Sequence, residues 1–473
     1  MKTSPSPGNS IALRLRYINE VGKLAEIAAA IAQVGGNIGN VTVVESDRTH
    51  ITREIVVDTT GEAHAQRIAE SVKSISGIEL QEVYDCTFRL HEGGKLEVVS
   101  RTPLRSYVDL SMAYTPGVAR ICMAIHNDIT CARDYTIRRN TVGIITDGSA
   151  VLGLGNIGAV ASLPVMEGKA VLFKEFGGVN AFPVCVDTTD PEVLLETACS
   201  VAATFGGINL EDIAAPVCFD IERRLTEAVD IPVFHDDQHG TAVVVGAAFI
   251  NAVKVTGKKP ADMRIVVSGA GAAGIACTRA LYDLGIGDVI ACDRQGALYE
   301  GRSGMNRSKQ WLARNSNKGN FKGTLKEALV GADLFLGLSG PNLLTGEEMR
   351  CMAKDPIVFA LSNPIPEVPP EEVKDFASVV ATGRSDYPNQ INNVLCFPGL
   401  FKGILESGAK RVTREMLTAA ARAIAGVIPD DELRPDYIIP SAFNKRVVEA
   451  VSSAVFAVAE DRSMPRTPIY FEF

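Results

Sequence analysis

The chain has 473 residues, enough for two or three domains and a large buried core. Hydrophobic residues make up 46% and charged residues 22%, and the formal net charge is −9, which argues against nucleic acid or an anionic membrane as the main partner. The opening MKTSPSPGNS lacks a signal-peptide core, and no run approaches about 18 uninterrupted apolar residues, so neither export nor a membrane helix is expected.

Residues 10–90 alternate between strand and helix patterns. IALRLRYI reads as a strand and KLAEIAAAIAQVG as a helix. NIGNVTVVES and HITREIVVDT are two further strands. AHAQRIAESVKSI is a second helix, and GIELQEVYDCTFRL a last strand. The order βαββαβ predicts a ferredoxin-like sandwich. HEGGKLEVVSRTPLRS reads as a linker. Beyond it the pattern becomes α/β. TVGIITD, KAVLFKE and AFPVCVD are predicted strands, and PEVLLETACSVAATF a helix. TAVVVGAAFINAVKVTG is a further helix. RIVVSG, DVIACD, ADLFLGLS, IVFALS and SVVATG then predict a parallel, doubly wound sheet. REMLTAAARAIAGVI and NKRVVEAVSSAVFAVAED close the chain as helices. The domains expected are 1–90, 91–250 and 251–473.

Two glycine fingerprints share one spacing: GLGNIG (Gly153, Gly155, Gly158) and GAGAAG (Gly269, Gly271, Gly274). The second has the context of a dinucleotide site. The strand RIVVS precedes it and the helix IACTRALYDLG follows it, so Gly269, Gly271, Ala272, Ala273 and Gly274 are the expected cofactor contacts. Asp293 ends the next strand, 19 positions beyond Gly274, where a group for the ribose hydroxyls belongs. Asp293 favours NAD, because a 2′-phosphate would meet like charge; Arg294 directly after it leaves NADP open. The first fingerprint lacks this context. Pro164 limits any helix after it, so it reads as a turn that lets backbone approach a ligand or a facing domain.

Between the fingerprints lie Glu211-Asp212 and Asp236-Asp237, the second pair at a strand end in VFHDDQHGT. Such carboxylates suit Mg²⁺ or Mn²⁺, whereas His235 and His239 lack a third soft ligand for zinc. Lys169, in MEGKAVLF, is expected at a glycine turn entering a strand, where desolvation would lower its pKa toward that of a base. Tyr114, before a Pro-Gly turn, is a candidate proton donor. Asn363, Asn392 and Asn393 follow later strands, where asparagines also cap helices and turns. The ten cysteines form no CxxC pair and read as reduced core residues of a cytoplasmic protein.

Two resemblances extend this reading. Asn19-Glu20-Val21-Gly22-Lys23-Leu24 and Gly36-Asn37-Ile38 resemble the turns of an ACT domain, a small-molecule-sensing module. That resemblance implies an amino-acid or similar effector near Asn19, Gly22 and Asn37. From about residue 100 to 460 the chain resembles the malic enzymes of the compact bacterial type. AYTPGVA, ITDGSAVLGLGNIG, MEGK, INLEDI, FHDDQHGT, GAGAAG, LSNP, NQINNVLCFPG and IIPSAF carry the likeness. It implies conversion of malate to pyruvate and CO₂ with NAD or NADP and Mn²⁺ or Mg²⁺, by a homodimer or a multiple of one. It also implies Glu211, Asp212 and Asp237 as metal ligands, Lys169 as general base held by Asp236, and Tyr114 as the acid that protonates the enol carbon. Asn363 and Asn393 would contact substrate; Asn363 and Asn392 would also lie on the cofactor side. Larger malic enzymes carry a carboxylate-binding arginine where this chain has Ala150, so Ser149 or the asparagines would take that contact. The alternatives are a malolactic-type enzyme and a non-catalytic amino-acid sensor.

Overall fold

The computed structural model describes residues 5–151 and 153–473. Contacts within the chain divide it into two units, Met1–Glu97 and Val98–Phe473.

The first unit runs β1 (Ser6–Ile18), helix Lys23–Gln33, β2 (Asn37–Ser46), β3 (His50–Thr59), helix Glu62–Lys73 and β4 (Ile78–Asp85). The sheet order β2-β3-β1-β4, with every pairing antiparallel, is that of a ferredoxin-like sandwich. Alternation along β1 explains its two faces. Ile11, Leu13, Leu15 and Tyr17 are buried with Ile27 and Ile31 of the first helix and Ile68 and Val72 of the second. On the other face Arg14 donates to Glu54 and Glu82, each at 2.9 Å. The expected last strand stops five residues early. Asp85 accepts from the amides of Thr87 and Phe88 at 2.7 and 3.0 Å and so caps a short helix, Cys86–His91.

In the second unit β5 (Thr141–Thr146), β6 (Asn180–Cys185), β7 (Gly207–Leu210) and β8 (Val233–His235) form a parallel sheet in the order β6-β5-β7-β8. A second sheet is ordered β11-β10-β9-β12-β13-β14. Its strands are β9 (Arg264–Ser268), β10 (Asp288–Asp293), β11 (Gly296–Ala297), β12 (Leu334–Gly337), β13 (Ile357–Ala360) and β14 (Val379–Thr382). All its pairings are parallel except the β10–β11 hairpin. The chain leaves β9 for β10 on one side and later returns to β12 on the other. This switch point lies beside the GAGAAG turn, where doubly wound sheets bind ligands. Helix Thr241–Thr256 links the two sheets and continues through position 250/251. The stretch Asp236–Thr256 is long and apolar enough to cross a membrane, but 67% of it is buried inside the fold.

One predicted strand is a helix. KAVLFKE belongs to a 19-residue helix, Ala159–Gly177, that begins directly after Gly158 and carries Pro164 in its second turn. Proline removes one helical hydrogen bond there. The burial of Ala159, Ser162, Met166, Ala170, Phe173 and Gly177 along one side offsets that loss. Phe173 packs on Phe397 and Phe401, with ring centroids 4.7 and 5.4 Å away. Those two rings come from helix Phe397–Ser407. Helices Arg414–Ala425 and Arg446–Glu460 then pack with it at the end of the chain. The cysteines are all free, but Cys122 and Cys351 are exposed, so they are not uniformly core residues.

Candidate active site

Three elements converge on Lys169. It projects from the middle of helix Ala159–Gly177, not from a strand entrance. Glu211 follows β7 and Asp236 follows β8, both at the carboxyl edge of the first sheet. Lys169 Nζ donates to Glu211 Oε1 at 2.6 Å and to Asp236 Oδ2, and it lies 4.5 Å from the centre of the Phe397 ring. Asp236 is fully buried, and Asn393 Nδ2 donates to its Oδ2 at 3.1 Å. Asn209 Nδ2 holds the other oxygen of Glu211 at 2.8 Å. Asp236 and Asp237 open a π-helical turn, Asp236–Gly240, a local widening that recurs at functional sites.

Glu211, Asp212 and Asp237 complete the cluster. Asp212 has a left-handed backbone, φ 52°, and its amide donates to Asp237 Oδ2 at 2.8 Å. One carboxylate oxygen from each of the three can be chosen so that all lie within 4.8 Å of one another. Gathered acids are costly without a counter-charge, and Lys169 supplies only one. Burial and the neighbouring carboxylates push Glu211 well above the usual carboxylate range, against the pull of Lys169. Hard oxygen donors at this spacing fit a divalent cation. Burial alone would lower the pKa of Lys169, but Asp236, Glu211 and Asp237 outweigh it and raise it. This reverses the expectation of a depressed lysine, because three carboxylates surround the ammonium.

The histidines serve the scaffold. Buried Glu222 accepts from His235 N at 3.2 Å and Gln238 Nε2 at 3.3 Å, and it lies 2.9 Å from His239 Nε2. Glu222 was not legible in the sequence, where CFDIERRLTEA reads as an ordinary amphipathic helix. Ser149 donates to Asp147 at 2.6 Å and accepts from Ala214 N at 2.9 Å, while Ala150 N bonds the Asp212 carbonyl at 2.9 Å. The Ser149–Ala150 loop therefore abuts the acidic cluster. In the first fingerprint Gly153 has φ +75°, and a Cβ there would lie 3.0 Å from the Asn363 carbonyl. Asn392 caps the turn Asn393–Leu395 by accepting from Val394 N at 3.0 Å. Tyr114 is 68% exposed, and among the described residues no side-chain hydrogen bond joins it to the Lys169 cluster.

The second fingerprint builds a different place. Gly269 N bonds Cys292 O at 2.9 Å across β9 and β10, and helix Ala272–Asp283 starts within the motif, with Ala272 and Ala273 as its first two residues. A Cβ on Gly274 would lie 1.9 Å from the Gly269 carbonyl, so only glycine closes this turn. Amides at that helix start can face an anionic group. Residues 93–226 match the malic enzyme N-terminal domain, and residues 238–461 match the malic enzyme NAD binding domain.

The chain belongs to the malic enzyme family.

A NAD-dependent malic enzyme of Geobacillus stearothermophilus is 50% identical over 450 residues, covering 95% of this chain and 94% of its own. That span exceeds the second unit and reaches into the first. A bifunctional malic/malolactic enzyme of Bacillus subtilis is 52% identical over 378 residues, covering 80% of this chain and 92% of its own. The crystal structure of a NAD-dependent malic enzyme from Thermotoga maritima superposes with a TM-score of 0.76 at 46% identity, covering 79% of this chain and 99% of that one. The first matched region holds Lys169, Glu211 and Asp212, the second holds the GAGAAG turn, and Asp236 and Asp237 lie in the short stretch between them. In the first unit Asn19 and Gly22 sit at the start of helix Lys23–Gln33, whereas Asn37 lies past its other end, paired with Asp58. Eleven helical residues span roughly 16 Å, so these three expected effector contacts do not meet within one copy.

Proposed function

We propose that this protein oxidises malate to pyruvate and CO₂ with reduction of NAD or NADP. The observation that carries this reading is Lys169, bonded to both Glu211 and Asp236 beside a three-carboxylate cluster. Lys169 takes the proton of the malate C2 hydroxyl, and Asp236, held by Asn393, fixes the direction of its Nζ. A bound Mn²⁺ or Mg²⁺ on Glu211, Asp212 and Asp237 would supply Lewis-acid polarisation of the C2 oxygen and draw carboxylate charge off Lys169. A dinucleotide held at Gly269, Gly271 and Gly274 would supply the acceptor for the C2 hydride. Loss of C4 as CO₂ leaves an enol whose C3 receives a proton from Tyr114. Asn363 and Asn393 contact the substrate, with Ser149 nearby.

The exposed setting of Tyr114 bears on assembly. Helices Tyr107–Ala113 and Val118–Asn127 bury no residue and expose Tyr107, Val108, Met112 and Met123. An apolar face of this kind marks an interface, and a second copy of the chain covers it in a homodimer. In the first unit a small carboxylate effector binds at the Asn19–Gly22 turn. The ten free cysteines suit the cytoplasm.

The test is the full-length protein with malate, Mn²⁺ and NAD, followed by the absorbance of reduced nicotinamide. Pyruvate with stoichiometric NADH supports the reading. Lactate without net NADH would establish the malolactic alternative, which the likeness to the bifunctional Bacillus subtilis enzyme keeps in view. No turnover at all would sink both. Lys169→Ala should lower kcat on the order of a thousandfold while calorimetry still detects Mn²⁺ binding; unchanged turnover would remove Lys169 from its role.

A further inference from the structure

A second buried acid lies outside the carboxylate cluster, at the carboxyl edge of the second sheet. Glu367 is 0% exposed. Among the described residues no cation pairs with it, and backbone amides hold its charge instead. Oε1 accepts from Ser339 N at 2.9 Å, and Oε2 accepts from Ser362 N at 3.1 Å. Burial pushes its carboxyl above the usual range, against the pull of those amides. An acid without a counter-cation is a costly way to fill a core position. The chain makes room for it all the same: a Cβ on Gly337, the last residue of β12, would lie 2.5 Å from Glu367 Cδ.

The two amides belong to different loops. Ser339 follows β12 and Ser362 follows β13, the neighbouring strands on one side of the switch point. The first loop runs against the GAGAAG turn. A Cβ on Gly269 would lie 2.4 Å from the Leu338 carbonyl, and Ser339 Oγ lies 2.8 Å from Ser268 Oγ at the end of β9. The second loop carries Asn363, whose carbonyl faces Gly153 of the first fingerprint. Glu367 therefore ties the loop beside the pyrophosphate turn to the loop beside the substrate half. Ser339 and Asn363 are exposed, whereas the carboxylate is not. A dinucleotide crosses a doubly wound sheet at the switch point. With its adenosine end over β10, its nicotinamide end lies over β12 and β13, against these two loops.

We propose that Glu367 is a positioning residue for the nicotinamide half of the cofactor: by holding both loop amides in one carboxylate it sets the surface on which the nicotinamide lies, without touching the cofactor itself. The proposal rests on the dinucleotide reading of the GAGAAG turn. Calorimetry on the full-length protein compares NAD with 5′-ADP, which occupies the adenosine half alone. Glu367→Gln keeps the volume but turns an NH₂ group against one of the two backbone N–H groups. It should weaken NAD about tenfold while 5′-ADP stays within about twofold. Gly337→Ala crowds the same carboxylate from the strand side and should reproduce that split, with Mn²⁺ affinity unchanged in both variants. A side chain that only braced the fold would lower Tm and shift both ligands together. Equal weakening of NAD and 5′-ADP, or NAD affinity unchanged in both variants, would overturn the proposal alone. Failure of the wild type to bind either nucleotide would overturn the dinucleotide reading as well.

Discussion

GLGNIG and GAGAAG place glycine at the same three spacings, but the backbone uses those glycines for different reasons. In the first, Gly153, Gly155 and Gly158 all take left-handed φ values of 75–81°, and a Cβ at Gly155 or Gly158 would meet nothing within 4 Å. Conformation is what demands glycine there. In the second, Gly271 is extended and Gly274 is helical, but a Cβ on Gly274 would strike the Gly269 carbonyl. There the demand is steric at Gly274, while at Gly269, with φ +118° and a Cβ that would lie 2.4 Å from the Leu338 carbonyl, it is both conformational and steric. One turn shapes a loop against the LSNP segment; the other closes strand, turn and helix tightly enough to cradle a phosphate.

Substitutions can break this contrast. The largest effect should come from Gly274→Ala, which forces the turn open at a cost of about 1–3 kcal/mol. Calorimetry should then show 5′-ADP affinity falling tenfold or more, while Mn²⁺ affinity holds. Retained nucleotide affinity would mean that the GAGAAG turn does not hold the cofactor. Gly153→Ala comes next. It is strained in φ and tight against Asn363, and should lower kcat/KM for malate several-fold with nucleotide affinity unchanged. A change confined to nucleotide affinity would merge the two motifs again. Gly158→Ala meets open space but has to adopt φ 80°, ψ 168°, a nearly glycine-only conformation costing about 1–3 kcal/mol, to be read as a loss in Tm. The smallest effect concerns Asp293. Burial pushes its carboxyl up, but Arg302, Lys309 and the Gln295 amide pull it further down, to about 2. A depressed carboxyl stabilises the fold above the ordinary carboxylate pKa, and that contribution is lost as pH falls through about 2. The Tm gap between wild type and Asp293→Asn should therefore stay constant from about pH 5 to 8 and narrow below about pH 4. A gap that changes near neutrality would point to another group.

Much of the architecture was legible because apolar runs bounded by turns leave few options: the βαββαβ order and the parallel strands β9, β10, β12, β13 and β14 all follow from pattern. The family was legible from its motifs. Lys169 was misplaced because MEGKAVLF is an apolar run of ambiguous period, and Pro164 argued against the helix that contains it. Tertiary packing on Phe397 and Phe401 decided the matter, and no local signal carries that. The raised pKa of Lys169 was missed for a related reason: spacing along the chain does not reveal how many carboxylates surround one ammonium. Glu222 and Asn209 were invisible because their partners exist only after folding. Asn37 was grouped with Asn19 and Gly22 by motif, but the intervening helix separates them.

Asp236 has a consequence for how the molecule comes into being. Its Oδ2 is shared between Lys169, 67 residues earlier in the chain, and Asn393, 157 residues later. Chains are made from the amino terminus. The lysine–aspartate pair can therefore form while the asparagine that braces it, and the Phe397 ring that lies against Lys169, are still unsynthesised. A nascent or truncated chain ending before this segment holds a buried acid lacking one of its donors. The cluster is thus finished late, and a stop before residue 393 removes this brace without touching any of its acids.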